Sequence, residues 1–228
     1  VGEGTDAVAV TQLPELSGAA RDAIRGADIV LLAVPEDVTV ATLPALLPLV
    51  KPGALVADIA SVKGRVVATA LQHPNGGYVS LHPMFGPEDD LSGNWVWVPV
   101  RPSPHEAWLR AFVERHGGAI TELSAGEHDR YGAAVQALVH VALLSTGVAM
   151  KRLGLDPAVL ANVHTRVSEQ LLALADRVAS NDPALILNLQ HANPNAAAAR
   201  ATFEAALSDV LRTLATRDPA AVRSLIEE

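Results

Sequence analysis

The sequence predicts an α/β arrangement followed by an all-α segment, and three observations carry that expectation. Apolar runs of strand length alternate with amphipathic runs of helix length as far as residue 123. Strand-like runs then stop. The helical stretches that follow are apolar over most of their circumference. Alternation of this kind indicates an open, mostly parallel sheet with helices on both faces. Helices apolar all round indicate burial against one another and against a second copy of the chain. The boundary is placed between two domains, 1–123 and 124–228.

The elements follow in order. "VGEGTDAVAV" opens the chain with G-x-G-x-x-A at Gly2, Gly4 and Ala7. Such glycines cradle a pyrophosphate when a buried strand delivers the chain to them and a helix follows. Only Val1 precedes Gly2, and "DAVAVTQLPEL" alternates before Pro14, which predicts a short strand and a turn. The motif is therefore a decoy. "ADIVLLAVP" reads as a strand buried on both faces, "TVATLPALLPLV" as a helix, "GALVADIA" as the next buried strand and "SVKGRVVATALQ" as its helix. "YVSLHP" and "NWVWVPV" read as strands, "HEAWLRAFVERHG" as an amphipathic helix, and "AITELS" as the last strand. Beyond it, "GEHDRYGAAVQALVHVALLSTGVAMKRLG", "DPAVLANVHTRVSEQLLALADRVASN" and "PNAAAARATFEAALSDVLRTLATRD" read as helices, punctuated by Asp-Pro and Asn-Pro.

Composition excludes several classes. The formal net charge of −8 argues against a nucleic-acid partner. An uninterrupted apolar run of membrane-spanning length is missing, so no membrane partner is expected. No basic and apolar leader opens the sequence. Zero cysteines exclude thiolate metal sites and fit a cytoplasmic location. His128 and His191 have no metal-ligand spacing, and no metal site is proposed.

In an open parallel sheet, ligands bind outside the carboxyl ends of the strands. Val34 and Pro35 end the first buried run as an apolar lip suited to a flat ring. Ser61 stands just before a helix, where a serine commonly serves as N-cap. Lys63 reads as a solvated helix residue. His82 ends "VSLHP", and Pro83 and Pro87 flank the loop beyond it. An imidazole so placed suits general acid–base work.

"ADIVLLAVPEDV", "DIASVKG", "LHPMFGP", "EHDRYGAAVQALVH" and "DRVASNDP" together resemble the prephenate dehydrogenase family of the tyrosine pathway, from about residue 27 to about residue 215. The resemblance implies a Rossmann-like nucleotide-binding domain, then a helical dimerisation domain and a homodimer. It implies NAD or NADP as cofactor, and oxidation of a cyclohexadienyl substrate with loss of carbon dioxide. It assigns His82 to the histidine that accepts the proton of the ring hydroxyl, and Ser61 to the serine that orients it beside the nicotinamide. Val34 and Pro35 match the cofactor lip. Arg177 matches the arginine that clamps a substrate carboxylate, a task for a planar fork. His140 and Gln136 match the substrate pocket, and Ile186 stands where the family often has an aromatic wall.

Family members begin with a strand, a G-x-G-x-x-G turn, a helix and a second strand. None of these is in the sequence, so a fragment lacking the first β-α-β unit is expected, or a form that has lost its cofactor cradle. Prephenate, arogenate and 4-amino-4-deoxyprephenate are the candidate substrates. The alternative is a non-catalytic dimeric relative that binds ligand without cofactor. The joint presence of Ser61, His82, His140 and Arg177 favours the enzyme.

Overall fold

The computed structural model describes residues 6–10, 13–86 and 89–227. Gly2 and Gly4 of the opening motif, and Pro87 of the histidine loop, lie outside them. The chain separates into two compact units, Val1–Asp129 and Arg130–Glu228. The division falls inside the helix that follows the last strand. Two side chains of that helix, His128 and Asp129, are buried with the first unit.

The first unit is built on a five-stranded sheet in the order β1-β2-β3-β4-β5. The strands are β1 (Ile29–Leu32), β2 (Leu55–Asp58), β3 (Gly77–Pro83), β4 (Asn94–Arg101) and β5 (Ala119–Glu122). β1, β2 and β3 are mutually parallel, β4 runs antiparallel to β3, and β5 is parallel to β4. α2 (Glu36–Leu46) and α3 (Gly64–Leu71) make the first two crossovers and α4 (Glu106–Arg115) the last. A helix the sequence reading passed over, α1 (Gly18–Gly26), precedes β1, with Ser17 Oγ accepting from the Ala20 amide at 3.2 Å as its N-cap.

Side-chain alternation divides the core between the two faces. Leu55 and Ala57 of β2 pack with Val79 and Leu81 of β3 against Leu109 and Val113 of α4. Val56 and Tyr78 point the other way, into Leu43, Leu46 and Val66 of α2, the short 3-10 turn after it, and α3. β2 is buried at every position, as expected of a central strand. β1 corrects the expectation of burial on both faces: it pairs only with β2 among the described residues, and Leu31 is 54% exposed. Asp6–Val10, expected to be a short strand, form no regular structure.

The second unit is helical. α5 (Ala125–Gly132), a π turn over Ala133–Leu138 and α6 (Val139–Arg152) form one continuous rod of 28 residues. By length and composition alone this rod is apolar enough to cross a membrane. Leu143 and Leu144 on it pack against Ala175 and Val178 of α8 (Arg166–Ala179). The stretch expected as one helix from Asp156 is two, α7 (Pro157–Val163) and α8. Thr165 breaks it by forming a reciprocal capping box with Ser168. The Asp-Pro pairs start helices as read: Asp156 accepts from Ala158 N, and Asp182 caps α9 (Pro183–His191) by accepting from Ala184 N, each at 2.8 Å. α10 (Ala196–Thr216) and α11 (Pro219–Glu227) complete the unit.

Candidate active site

The register of β2 against β3 sets Asp58 opposite Ser80, on the sheet face that α3 covers. Asp58 is fully buried and receives three hydrogen bonds, from Tyr78 Oη (2.8 Å), Ser80 Oγ (2.9 Å) and Ala60 N (2.9 Å). Burial beside this carboxylate pushes the Tyr78 phenol far above its usual range. Lys63 reaches into the same place. Its ammonium donates to the Leu81 carbonyl and stands 3.5 Å from Asp58 Oδ1. The expectation of a solvated Lys63 is corrected: the side chain is wholly buried, because the segment before α3 turns it under the sheet rather than outward. Burial pushes its pKa below the usual lysine range, and the Asp58 carboxylate pushes back.

His82, next along β3, is 3% exposed. Its Nδ1 lies 2.8 Å from His128 Nε2, and His128 Nδ1 lies 2.8 Å from Asp129 Oδ1. Asp129 in turn accepts from two backbone amides at the start of α3: Lys63 N to Oδ1 and Gly64 N to Oδ2, both at 2.9 Å. These amides belong to the orphan donors of a helix N-terminus, where a carboxylate is favoured. Gly64 permits the approach, since a Cβ there would stand 3.2 Å from Asp129 Oδ2. Burial holds the His82 imidazole well below its usual pKa, and the nearby Lys63 ammonium adds to the effect. The ring is thus neutral near pH 7, a base waiting for a proton.

The loop after His82 is fixed by aromatic packing. Phe85 meets Trp95 edge-on at 5.3 Å, and the bare Cα of Gly93 leaves room for its ring, because a Cβ there would fall 2.3 Å from Phe85. Met84 N donates to Asn94 O at 2.9 Å.

The residues singled out from sequence fall into two groups. Val34, Pro35, Ser61 and His82 belong to the first unit, with Val34 half-buried and Pro35 exposed beyond β1. Ser61 is half-buried but does not cap α3, which begins at Gly64; the amides there are satisfied by Asp129 instead. It forms no side-chain hydrogen bond among the described residues, and the nitrogen of His82 that faces the protein is met by His128.

Gln136, His140, Arg177 and Ile186 belong to the second unit. Gln136 lies within the π turn and His140 just after it, both half-buried. The turn is held from outside: Gln190 Nε2 donates to Ala137 O at 2.8 Å, and Arg200 donates to Gln190 Oε1 at 2.8 Å. His140 Nδ1 is buried without a hydrogen-bond partner among the described residues, and burial lowers its pKa. Arg177 is exposed in the last turn of α8, the helix that packs on α6. Ile186 is half-buried on α9.

Sequence reasoning gave His128 and Asp129 no role. Their only signal is the adjacent His-Asp pair at the start of a helix, and the partner His82 is 46 residues away from His128.

Two family models match the chain in the order of its two units. Residues 9–94 match the prephenate dehydrogenase nucleotide-binding domain, and residues 124–228 match the prephenate dehydrogenase dimerization domain. The chain belongs to the prephenate dehydrogenase family. Within that family it is 36% identical over 180 residues to the 4-amino-4-deoxyprephenate dehydrogenase of Streptomyces pristinaespiralis, covering 78% of this chain and 61% of the relative. It is 29% identical over 175 residues to the T-protein of Haemophilus influenzae, covering 75% of this chain and 46% of that protein. The chain thus spans less than two thirds of the length of either relative. Among solved structures, the fold is shared with Synechocystis arogenate dehydrogenase (TM-score 0.72, 19% identity, 92% of this chain and 79% of that one). It is shared also with the Aquifex aeolicus prephenate dehydrogenase in complex with hydroxyphenyl propionate and NAD+ (TM-score 0.70, 20% identity, 91% and 77%).

Proposed function

We propose that the protein catalyses the oxidative decarboxylation of prephenate or a close cyclohexadienyl analogue, with NAD or NADP as hydride acceptor. The observation that carries this reading is His82: a buried imidazole, kept neutral, at the carboxyl end of a parallel strand. The name of the Streptomyces relative puts 4-amino-4-deoxyprephenate beside prephenate and arogenate among the substrates to assay.

The residues at the end of β1 fit a nicotinamide ring. Leu31 and Pro35 are exposed, Val34 is half-buried, and positions 29–35 carry no titratable side chain that would compete for the surface. When bound, the nicotinamide supplies the site that takes the hydride. His82 accepts the proton of the ring hydroxyl, or of the amino group in the 4-amino analogue, as hydride leaves the same ring carbon. When the bond to the ring carboxylate breaks and its electron pair aromatises the ring, His82 returns that proton to the oxygen or nitrogen. No net proton is released, so the base is restored each turnover. Ser61 borders this site, Arg177 holds a substrate carboxylate through its planar fork, His140 and Gln136 offer polar contacts, and Ile186 supplies an apolar wall. Arg177 serves best by orienting the substrate, since uniform ground-state binding does not speed the chemical step.

A homodimer through the helical unit is part of the proposal. It is supported by the dimerization-domain match and by exposed apolar side chains such as Val135, Leu174, Leu211 and Leu214. Their number, with the zero-cysteine composition, fits a cytoplasmic dimer.

The test is turnover of the three substrates with each cofactor, followed by reduced nicotinamide absorbance, in the parent and in His82→Asn and Arg177→Gln. His82→Asn is expected to lower kcat by about 10²–10⁴-fold with little change in KM. Arg177→Gln is expected to raise KM about tenfold or more for all three substrates, because the ring carboxylate is common to them. A His82→Asn enzyme within a factor of about two of the parent refutes the assignment of the base.

A further inference from the structure

We propose that Asp129, acting through His128, holds His82 in the tautomer whose Nε2 carries no proton, which makes Asp129 and His128 positioning residues for the reaction. The inference rests on the function proposed above and goes beyond it, to the device that prepares the base.

The chain of contacts has a direction fixed at one end. Asp129 receives Lys63 N on Oδ1 and Gly64 N on Oδ2, both at 2.9 Å. An ionised carboxylate only accepts, and both oxygens here face donors that cannot be turned away, because they are backbone amides. The start of α3 favours the negative charge. His128 therefore meets Asp129 Oδ1 with an Nδ1–H. A neutral imidazole carries one N–H, so His128 Nε2 presents a lone pair. His82 Nδ1, 2.8 Å from it, must then be the donor, and the single proton of His82 is accounted for. His82 Nε2 is left as a bare acceptor, and it has no hydrogen-bond partner among the described residues. Two rigid amides thus decide the protonation of an atom three side chains away.

The arrangement does more than orient. When His82 takes the substrate proton, its Nδ1–H bond to His128 becomes charge-assisted and strengthens, with the Asp129 carboxylate aligned behind it. That stabilisation is present only while the proton is on loan, which is the condition for lowering the barrier rather than merely binding. A substrate group that donates a hydrogen bond, O–H or N–H, fits this Nε2. One that only accepts does not.

Asp129→Leu tests the direction of the chain. The leucine is close to aspartate in length and offers no acceptor. His128 Nδ1 then loses the oxygen that holds its proton, so neither tautomer of His128 is imposed and His82 is released to a mixture of the two. The experiment is ¹⁵N NMR of histidine-labelled protein near pH 7, with His82→Asn identifying the His82 signals, run beside kinetics. The parent is expected to show an unprotonated His82 Nε2 and Asp129→Leu a mixture of the two tautomers. The variant's kcat is expected to fall by about 10²–10⁴-fold with KM within about threefold, in line with the cost of removing the carboxylate behind an imidazole base. A parent with the proton on Nε2, or one tautomer common to both proteins, overturns the inference. Should Asp129→Leu fail to fold, His128→Phe removes the acceptor of His82 Nδ1, and a mixture of tautomers is expected. A His82 Nε2 still wholly unprotonated in that variant overturns the inference equally. A parent that shows the expected tautomer, and a variant that loses it, support this inference even if the parent oxidises no cyclohexadienol, a result that refutes the function on which it was built.

Discussion

Lys63→Met is the most demanding test of the buried network, because the substitution keeps the length of the side chain and removes only its charge and donors. In the parent, the Lys63 ammonium donates to the Leu81 carbonyl and stands 3.5 Å from Asp58 Oδ1, with both side chains wholly buried. Breaking a buried pair by removing one partner costs about 3–5 kcal/mol, since the other charge is left without compensation. Here Tyr78, Ser80 and the Ala60 amide continue to donate to Asp58, which reduces that penalty. The Leu81 carbonyl loses its donor, which adds about 1–3 kcal/mol. Together these place the loss at about 3 kcal/mol or somewhat more. Urea unfolding followed by tryptophan fluorescence reports it cleanly, because the three tryptophans, Trp95, Trp97 and Trp108, all belong to the first unit. Asp58→Asn should be costly alone and much less so on the Lys63→Met background, with a coupling of about 0.5–3 kcal/mol in a double-mutant cycle. A Lys63→Met protein within about 0.5 kcal/mol of the parent, or strict additivity in the cycle, refutes the account of this cluster.

Stability should also fall as pH drops below about 6.5, the value of an unfolded histidine. His82 and His140 are both held below that value by burial, so the unfolded chain binds protons that the folded one refuses. The stabilisation is therefore present above pH 6.5 and is lost on acidification, by up to about 1.4 kcal/mol per pH unit for the buried His82 and by less for the half-exposed, solvent-screened His140. Urea midpoints measured between about pH 7.5 and 5.5 check the sign, and His82→Asn should flatten the slope; an unchanged slope refutes the contribution of His82. Gln190→Leu should loosen the π turn, because it removes the donor to Ala137 O and leaves Arg200 without its side-chain partner. A loss of about 1–3 kcal/mol by circular dichroism is expected, together with a raised KM, since Gln136 lies in that turn and His140 just after it. Parent-like values for both would sink this account.

Much of the fold was legible because it rests on local pattern. "GALVADIA" and "YVSLHP" announced β2 and β3 by mostly apolar runs of strand length, and the Asp-Pro pairs marked the starts of α7 and α9. The failures share a cause, which is that the deciding partner is remote in sequence. The antiparallel pairing of β4 depends on which edge of β3 the chain returns to, and nothing within "NWVWVPV" records that. Lys63 reads as a surface residue because lysines usually are. Its burial is decided by Asp58 and by the Leu81 carbonyl, the latter 18 residues away.

The same reasoning explains why half of the proton-handling machinery was invisible. His82 stood out because strand and loop chemistry around it are local. His128 and Asp129 acquire meaning only when α5 returns to the start of α3, a closure spanning 66 residues between Lys63 and Asp129. That closure satisfies two requirements at once. α3 opens without a side-chain cap of its own, since its N-cap residue is Lys63, so its first amides need an acceptor from elsewhere. His82 needs a fixed partner for Nδ1 if its other nitrogen is to serve as a base. One His-Asp dipeptide meets both needs, the carboxylate by capping the helix and the imidazole by passing that constraint to His82. Ser61, a plausible cap from sequence, was displaced from that task for a physical reason. A serine offers one acceptor oxygen to one amide, whereas the Asp129 carboxylate takes two amides and still has a lone pair for the imidazole.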